Sequence, residues 1–274
     1  MNKLSIAIAG ENALPSAFVV FRGFEKSIPR AAELGYQGVE LALKSVSEIN
    51  SDKIDALLSS NGLEISCIST GQVYADTGFM FTDSDQSRRK VLKKTFEEFI
   101  DLASHYGRMV NIGRVRGNLV ANDNGDSEKN FIELAYELGQ YAGKRDVTLV
   151  VEPVNRYELN FVNSVEQGAL LIKKIGLSNI KLMPDVFHMN IEDVTIGGEL
   201  EKNIEDIAYI HFADSNRYAP GWGHTDFESI LRSLKRASYQ GWCSVEIFPV
   251  PDADAAARQA ALYLLPLIKK HLNG

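Results

Sequence analysis

The chain has 274 residues, of which 45% are hydrophobic, and its formal net charge is −7. This length suits one domain with a large buried core, and we expect a single domain over residues 1–274. The acidic charge offers no broad basic surface for a polyanion, and the first apolar run is too short for a signal peptide or a membrane span. We therefore expect a cytoplasmic protein that binds neither nucleic acid nor a membrane.

Eight segments have the pattern of buried strands. Each is a short run of apolar and β-branched residues, as in strands of a parallel sheet that is covered on both faces. In chain order these segments begin at Leu4, Gly38, Leu63, Met109, Val147, Ile180, Ile207 and Trp242. The only two cysteines, Cys67 and Cys243, fall in separate strand segments without metal-type spacing, so we expect buried free thiols.

Segments with helical spacing lie between the strands, with hydroxyl or Asp residues at their starts and Gly at their ends. Ser27 and Pro29 are expected to open the first helix, and Gly35 closes it. The sixth interval is the exception, because the stretch 199–205 is short for a helix. The other helical segments end at Gly62, cover about 85–107, start at Ser127, and cover 164–176, 225–241 and 252–272. This alternation predicts a parallel α/β fold, and eight strands favour a closed (β/α)₈ TIM barrel over an open doubly wound sheet.

Four possible metal ligands stand at the ends of the last four strand segments. They are Glu152, Asp185, His211 and Glu246. All strand carboxyl ends of a parallel barrel lie on one face, so these side chains are expected to converge there. Three carboxylates and one imidazole suit a divalent metal such as Mn²⁺, with open positions for substrate oxygens. No Gly-rich phosphate motif is present, and a nucleotide cofactor is not indicated.

The motifs around these residues resemble a known family. The runs EPVNRYE (152–158), DVFHMN (185–190), HFADSNRYAPGWGHTDF (211–227) and the late VEIF resemble the xylose-isomerase-like TIM-barrel superfamily. Within that superfamily they are most similar to the sugar isomerase/epimerase branch that includes the D-tagatose 3-epimerase group. The specific motifs cover the C-terminal half, whereas the N-terminal half agrees only in its rhythm of strands and helices.

This resemblance implies a site and a reaction. It implies one divalent metal, most consistent with Mn²⁺ although Co²⁺, Mg²⁺ and Zn²⁺ stay open, held by the four strand-end residues. It also implies substrate contacts from Glu158, His188 and Arg217, and it assigns the roles of proton donor and acceptor to Glu152 and Glu246. The implied partner is a small sugar, and the implied assembly is a homodimer or homotetramer.

The expected function is that of a metal-dependent epimerase or isomerase of a ketose or keto-sugar, with or without a phosphate. To invert a carbon beside a carbonyl, the enzyme removes a proton from one face and returns one to the other. A base and an acid must therefore face each other across that carbon, as two carboxylates on different strands can. The intermediate is a cis-enediolate, whose negative charge a metal would stabilise.

Two other functions stay open from the sequence. A DNA repair nuclease like endonuclease IV would, by resemblance, need three metals and histidines at the third and fourth strand ends, where this chain has Ser69 and Asn111. His224 and Asp226 do stand where such an enzyme places further ligands, so a second weak site also stays open. The second alternative, a non-catalytic sugar-binding barrel, leaves the four strand-end ligands unexplained.

Three further charged residues need an interpretation. Glu40 lies inside a buried strand, so we expect it to be paired or to lie near the polar mouth of the barrel. Arg114 and Arg116 follow the fourth strand segment. We interpret them as solvated loop charges in preference to a site for phosphate or carboxylate.

Overall fold

The computed structural model describes residues 1–274 and contains one sheet of parallel strands. We label its eight main strands β1 to β8 in chain order, and each of them confirms one of the predicted segments. A two-residue strand, Phe21–Arg22, pairs beside β1. The strands β1 to β8 are Leu4–Ala9, Gly38–Ala42, Glu64–Ser69, Met109–Ile112, Thr148–Val151, Ile180–Leu182, Tyr209–Phe212 and Trp242–Val245.

The sheet closes into a barrel between β6 and β7. The other neighbours pair as ladders in the order β6-β5-β4-β3-β2-β1-β8-β7. Two isolated parallel bridges, Leu182 with Ile207 and Asp185 with His211, complete the ring. The amide of His211 donates to the carbonyl of Pro184 at 2.9 Å. The predicted TIM barrel is confirmed, and its closing seam passes through two of the four strand-end residues.

Ten α-helices connect and cover the strands. They are α1 Phe24–Glu33, α2 Ser51–Asn61, α3 Gly71–Thr77, α4 Gln86–Ala103, α5 Asp126–Gly143, α6 Val165–Ile175, α7 Val186–Glu192, α8 Ile196–Lys202, α9 Phe227–Arg236 and α10 Ala253–His271. The sixth interval is divided between two seven-residue helices, α7 and α8, which explains why its helical pattern is short. No helix combines the length and the apolar character that crossing a membrane requires.

The start of α1 differs from the prediction. This helix begins at Phe24, three residues before Ser27. The turn into it is made by Gly23, whose φ of 85° is readily adopted only by glycine. The hydroxyl of Ser27 donates to the carbonyl of Gly23 at 2.6 Å, inside the first turn. Ser27 therefore lies inside the helix and donates to a carbonyl four residues earlier, and Gly23 marks the start of the helix.

The core lies between the barrel and its helices. All six residues of β1 are buried, because the sheet is covered on both faces. Aromatic rings fill the space under α4 and α5, where Phe131 packs against Phe81 at 5.7 Å and edge-to-face against Phe161 at 5.4 Å between centroids. Cys67 and Cys243 are buried and unpaired, which confirms the expected free thiols.

We predict that Phe131→Ala lowers the free energy of unfolding by about 3–5 kcal/mol, because it leaves a cavity among fully buried rings. Urea denaturation of the purified variants measures this loss. Tyr136→Ala is the control, since Tyr136 lies on the exposed side of the same helix, and its effect should be about 0.5 kcal/mol or less. Equal losses in the two variants would show that this ring cluster is not the tightly packed centre.

Candidate active site

The four strand-end residues converge at the carboxyl end of the barrel. Glu152 directly follows β5 and Glu246 directly follows β8, while His211 lies within β7 and Asp185 lies at the seam beside it. One ligand atom from each residue lies within 4.8 Å of the others. The barrel thus brings together residues that are up to 94 positions apart in the sequence.

Negative charge exceeds positive charge around this cluster. Burial raises the pKa of Asp185 to about 7, although Arg217 and His211 act against it. Burial also raises the pKa of Glu246. For Glu152 burial acts in the same direction, but the hydrogen bond and charge of His211 together with the charge of Arg217 outweigh it, and the pKa of Glu152 falls to about 2. The cluster therefore retains a proton where a cation would be more favourable.

One carboxylate oxygen of the cluster accepts no hydrogen bond within the protein. Asp185 is fully buried, its Oδ1 accepts from the amide of Phe187 at 2.8 Å, and its Oδ2 makes no hydrogen bond. A buried carboxylate oxygen without a partner is costly unless an ion or a proton satisfies it. Three carboxylates and an imidazole at this spacing are suitable ligands for a divalent metal, so these residues fit such an ion.

His211 lies between two carboxylates. Its Nδ1 is 3.2 Å from Oε1 of Glu152, and its Nε2 is 2.9 Å from Oε2 of Glu40. Burial alone would lower the pKa of His211, but Glu40, Glu246 and Glu152 raise it well above its usual value. Because Glu40 engages Nε2, Nδ1 beside Glu152 is the nitrogen available to a metal.

Glu40 is paired, as its position inside a strand predicted. It is fully buried, and its Oε2 accepts from Tyr209 at 3.0 Å and from Ser244 at 2.8 Å in addition to His211. The Tyr209 hydroxyl also contacts Ser66 at 2.6 Å. A carboxylate behind a ligating imidazole fixes its tautomer and its ring orientation. Glu40 can therefore set the orientation of His211.

Arg217 links the cluster to a further acidic residue, Glu158. Its Nη2 donates to Glu246 at 2.7 Å and its Nη1 donates to Glu158 at 3.1 Å. Its guanidinium carbon lies 3.8 Å from the centroid of Phe18 and 4.9 Å from that of Phe187. These contacts hold the guanidinium fork at one wall of the site, and its buried Nε has no partner.

His188 lies beside Asp185 as a neutral side chain. Its Nδ1 accepts from Nδ2 of Asn155 at 2.7 Å, and its Nε2 is 3.8 Å from Oδ2 of Asp185. Burial lowers the pKa of His188 well below its usual value, and the charge of Arg217 adds to this effect. The hydrogen bond at Nδ1 leaves the proton on Nε2, which makes that atom a donor.

A cavity of about 460 Å³, counted with its open mouth, lies over these residues. Its lining includes Glu152, Glu158, His188, Arg217 and Glu246. Phe18 and Asn111 also line the cavity, and neither was predicted from the sequence to do so. A polar residue at the end of an apolar strand was an available signal for Asn111, whereas nothing in the loop after β1 singles out Phe18.

Arg116 is not the solvated charge that we expected. It is fully buried, and its guanidinium donates to the carbonyls of Glu152, Phe161 and Val162. Burial lowers its pKa to about 10. The prediction was wrong because the chain after β5 folds over this side chain and presents its carbonyls to it. Arg114, two residues earlier, is half-buried and lines the cavity.

His224 and Asp226 lie outside the four-residue cluster. Asp226 caps helix α9 by accepting from the amide of Ser229 at 2.9 Å. His224 contacts the hydroxyl of Ser215 through Nδ1 at 2.9 Å. The ends of β3 and β4 carry Ser69 and Asn111, as the sequence indicated. The chain therefore has one grouping of potential metal ligands.

Comparisons with known proteins agree with the fold. A family model described as "Xylose isomerase-like TIM barrel" matches residues 28–267. D-psicose 3-epimerase of Enterocloster bolteae is 32% identical over 129 residues, which cover 47% of this chain and 43% of that protein. D-psicose 3-epimerase of Agrobacterium fabrum is 24% identical over 231 residues, covering 82% of this chain and 79% of that protein. A solved structure of L-ribulose 3-epimerase superposes with a TM-score of 0.84 at 22% identity, covering 99% and 96% of the two chains. The chain thus matches less than half the length of the first of these curated relatives.

We predict that Glu40→Gln weakens the binding of Mn²⁺ by about 10- to 100-fold. The reason is that the neutral amide of Gln replaces the charged carboxylate that accepts from His211 and fixes its orientation. Calorimetric titration of the metal-free protein with Mn²⁺ measures the change in affinity. Glu64→Gln is the matched control, since Glu64 is an exposed glutamate on the neighbouring strand β3. Unchanged Mn²⁺ affinity in a folded Glu40→Gln variant would remove Glu40 from the metal site.

Proposed function

This chain belongs to the xylose isomerase-like TIM barrel family, and from that premise we propose that it is a metal-dependent isomerase that epimerises a ketose or keto-sugar. The observation that carries the proposal is the four-residue cluster with the unpartnered oxygen of Asp185, located under the cavity. The curated relatives named above act on ketoses, which supports the same substrate class. An aldose–ketose isomerase is the closest alternative within this proposal.

The proposed metal ligands are Glu152, Asp185, His211 and Glu246, and the proposed metal is Mn²⁺. The supporting observations are the donor set, the spacing of its atoms and the surplus of negative charge. When bound, such an ion supplies Lewis-acid stabilisation of the negative charge that develops on the substrate oxygens.

Glu152 and Glu246 are proposed to move the proton. The pKa values of these carboxyl groups shift in opposite directions, since burial raises that of Glu246 while His211 holds that of Glu152 at about 2. Such a pair supplies one group ready to accept a proton and one ready to donate it. Glu152 would therefore take the proton from the carbon beside the carbonyl, and Glu246 would return one to the opposite face. In the reverse reaction the two roles exchange.

Arg217, His188 and Glu158 are proposed to hold the sugar. Arg217 and His188 supply fixed donors, namely a buried guanidinium and a neutral imidazole N–H, for hydroxyl and carbonyl oxygens. Glu158 is part of the cavity lining and pairs with Arg217, so it can accept from a hydroxyl while keeping the guanidinium in place. The cavity walls would keep water away from the reacting carbon.

Several findings favour this function over a DNA repair nuclease. The chain has one grouping of potential ligands, and Ser69 and Asn111 occupy the strand ends where a three-metal site would need histidines. The net charge of −7 gives no general attraction for DNA. A non-catalytic sugar-binding barrel is disfavoured because it leaves the four-residue cluster of potential metal ligands unexplained.

The location and the assembly of the protein are proposed on separate grounds. A cytoplasmic location is supported by the two free thiols, since oxidising compartments favour disulfides. A homodimer or homotetramer and a single domain over residues 1–274 stay expectations from the family resemblance and the chain length.

We predict that His211→Ala and His188→Ala separate metal binding from substrate binding. Removing a ligand should lower Mn²⁺ affinity by at least about tenfold. Removing the Nε2 donor of His188 should leave that affinity within about twofold and lower kcat/KM instead. Calorimetric Mn²⁺ titrations and kinetics with a ketose measure both effects. If the two variants lose metal equally, His188 is a ligand and the four-residue site is incomplete.

We predict that turnover of a ketose in D₂O places deuterium on the carbon that inverts, because a proton held on a glutamate exchanges with solvent. Glu152→Gln and Glu246→Gln should each lower the rate by at least about 10²–10⁴-fold, the usual contribution of general acid–base catalysis. NMR detects the label, and Mn²⁺ titration shows whether each variant still binds metal.

The two Gln variants should also differ from each other. Each should block exchange mainly for the epimer whose proton faces the missing carboxylate. Retention of the substrate hydrogen together with near-normal rates in both variants would exclude the two-carboxylate mechanism and favour a hydride shift.

A further inference from the structure

Arg114 is a positive charge in the cavity wall that no carboxylate of the protein neutralises. It opens the short 3₁₀ turn Arg114–Arg116 after β4, and it lines the same cavity as Glu152. The ion pairs of this chain within 4.0 Å leave Arg114 out. Its one hydrogen bond, from Nη2 to the carbonyl of Gly71, is long at 3.4 Å. Most of its five N–H donors are therefore free for a ligand.

The two neighbouring arginines are used differently. Arg116 donates hydrogen bonds to three backbone carbonyls. Arg217 donates one hydrogen bond to Glu158 and one to Glu246. Both are nearly fully buried, and their partners explain why a charge can remain there. Arg114 is half-buried and lines the cavity together with Arg217, but within the protein only the Gly71 carbonyl and the Phe18 ring contact its guanidinium.

The Arg114 guanidinium is nevertheless held in place. Its carbon lies 5.3 Å from the centroid of Phe18, the ring that also contacts Arg217 at 3.8 Å. A planar guanidinium held against an aromatic ring keeps its fork of donors oriented for two parallel hydrogen bonds to one carboxylate or phosphate. Both positive charges thus lie at the Phe18 side of the cavity.

The reacting end of the cavity is close to this turn. The residue before Arg114 is Gly113, where an added Cβ would lie 3.0 Å from Oε2 of Glu152. Ser69, at the end of β3, lies in the same wall, is 5% exposed, and its hydroxyl makes no hydrogen bond within the chain. A free hydroxyl and a free guanidinium at one wall can share the oxygens of one anionic group.

We propose that Arg114, assisted by Ser69, forms a subsite for an anionic end group, either a carboxylate or a phosphate, on the ketose. This inference rests on the proposed epimerase function and narrows its substrate class to acidic sugars. Arg217 and His188 already supply donors for the hydroxyl and carbonyl oxygens of a neutral sugar, so Arg114 is a second arginine in the cavity wall, and it has no acidic partner. Charge-assisted hydrogen bonds are about twice as strong as neutral ones, so an unneutralised arginine selects an anion.

The test compares three ketoses that differ only at carbon 6, namely D-fructose, D-fructose 6-phosphate and D-fructuronate. The Mn²⁺-loaded enzyme is assayed for deuterium incorporation in D₂O and for kcat/KM with each compound. Thermal unfolding of the same Mn²⁺-loaded protein with each compound gives a second readout that does not require turnover. The phosphate and the carboxylate arms distinguish the two sources of the anion.

Three variants are compared with the unaltered chain. Arg114→Gln removes the charge, Arg114→Lys keeps the charge without the planar fork, and Arg232→Gln removes an exposed arginine of helix α9 as the control. We expect at least one anionic compound to exceed D-fructose in kcat/KM by about tenfold or more, the size of one charge-assisted contact. Arg114→Gln should bring that ratio toward 1 through a higher KM, Arg114→Lys should keep part of it, and Arg232→Gln should keep all of it.

The outcomes separate this inference from the function it rests on. If the unaltered enzyme prefers D-fructose and Arg114→Gln changes the ratios less than about twofold, the anion subsite is wrong while ketose epimerisation stands. If none of the three compounds exchanges its proton, the thermal readout decides: stabilisation by an anionic compound that Arg114→Gln abolishes supports the subsite. Equal thermal stabilisation of the unaltered chain and Arg114→Gln overturns it.

Discussion

The arrangement of the whole site depends on the concentration of negative charge at the carboxyl end of the barrel. Glu40, Glu152, Asp185 and Glu246 meet there, and the cations that form ion pairs with them are His211 and Arg217. Burial disfavours the charged form of Asp185 and the charges of Glu246 and Glu152 add to this effect, which is why the pKa of Asp185 rises to about 7. The ion pairs of His211 and Arg217 offset part of the cost of burying these carboxylates, and a bound cation would offset more of it. A metal ion at this point would therefore stabilise the fold as well as serve the chemistry.

Two parts of the fold hold the carboxylates in place, namely the closing seam of the barrel and the chain that follows β5. His211 belongs to the last strand pair that closes the ring, so its orientation is coupled to the bridge with Asp185. Arg116 holds the carbonyls of Glu152, Phe161 and Val162 from inside, and this fixes the backbone from which the Glu152 side chain projects. The position of Glu152 thus depends on a contact that lies behind it, away from the cavity, whereas Glu246 is held by Arg217 in the cavity wall. Such support allows a site to keep unfavourable charges in a defined geometry.

The sequence predicted the parts of the molecule that periodicity determines. All eight strands and the closed barrel follow from apolar runs and their alternation with helices, and the convergence of the four strand-end residues follows from the shared face of a parallel barrel. The start of α1 was misplaced because the backbone conformation of Gly23, not a side-chain cap, sets the boundary. Arg116 was misread because its burial is decided by the path of a loop 36 residues later, which local pattern does not encode. Phe18 was missed for the same reason, since only the tertiary structure brings the loop after β1 to Arg217.

The two halves of the barrel contribute differently to the site. The proposed chemistry comes from strand ends of the C-terminal half, where sequence position and spatial position are tied by the register of the sheet. The opposite wall comes from the N-terminal half, through Phe18 in the loop after β1, Ser69 at the end of β3 and Arg114 after β4. Loops tolerate change better than strands, so a wall built largely from them can vary while the strand-end cluster is kept. For this reason the C-terminal motifs point to the proposed reaction type, whereas the proposed choice of substrate depends on residues such as Arg114 that only the folded chain brings to the cavity.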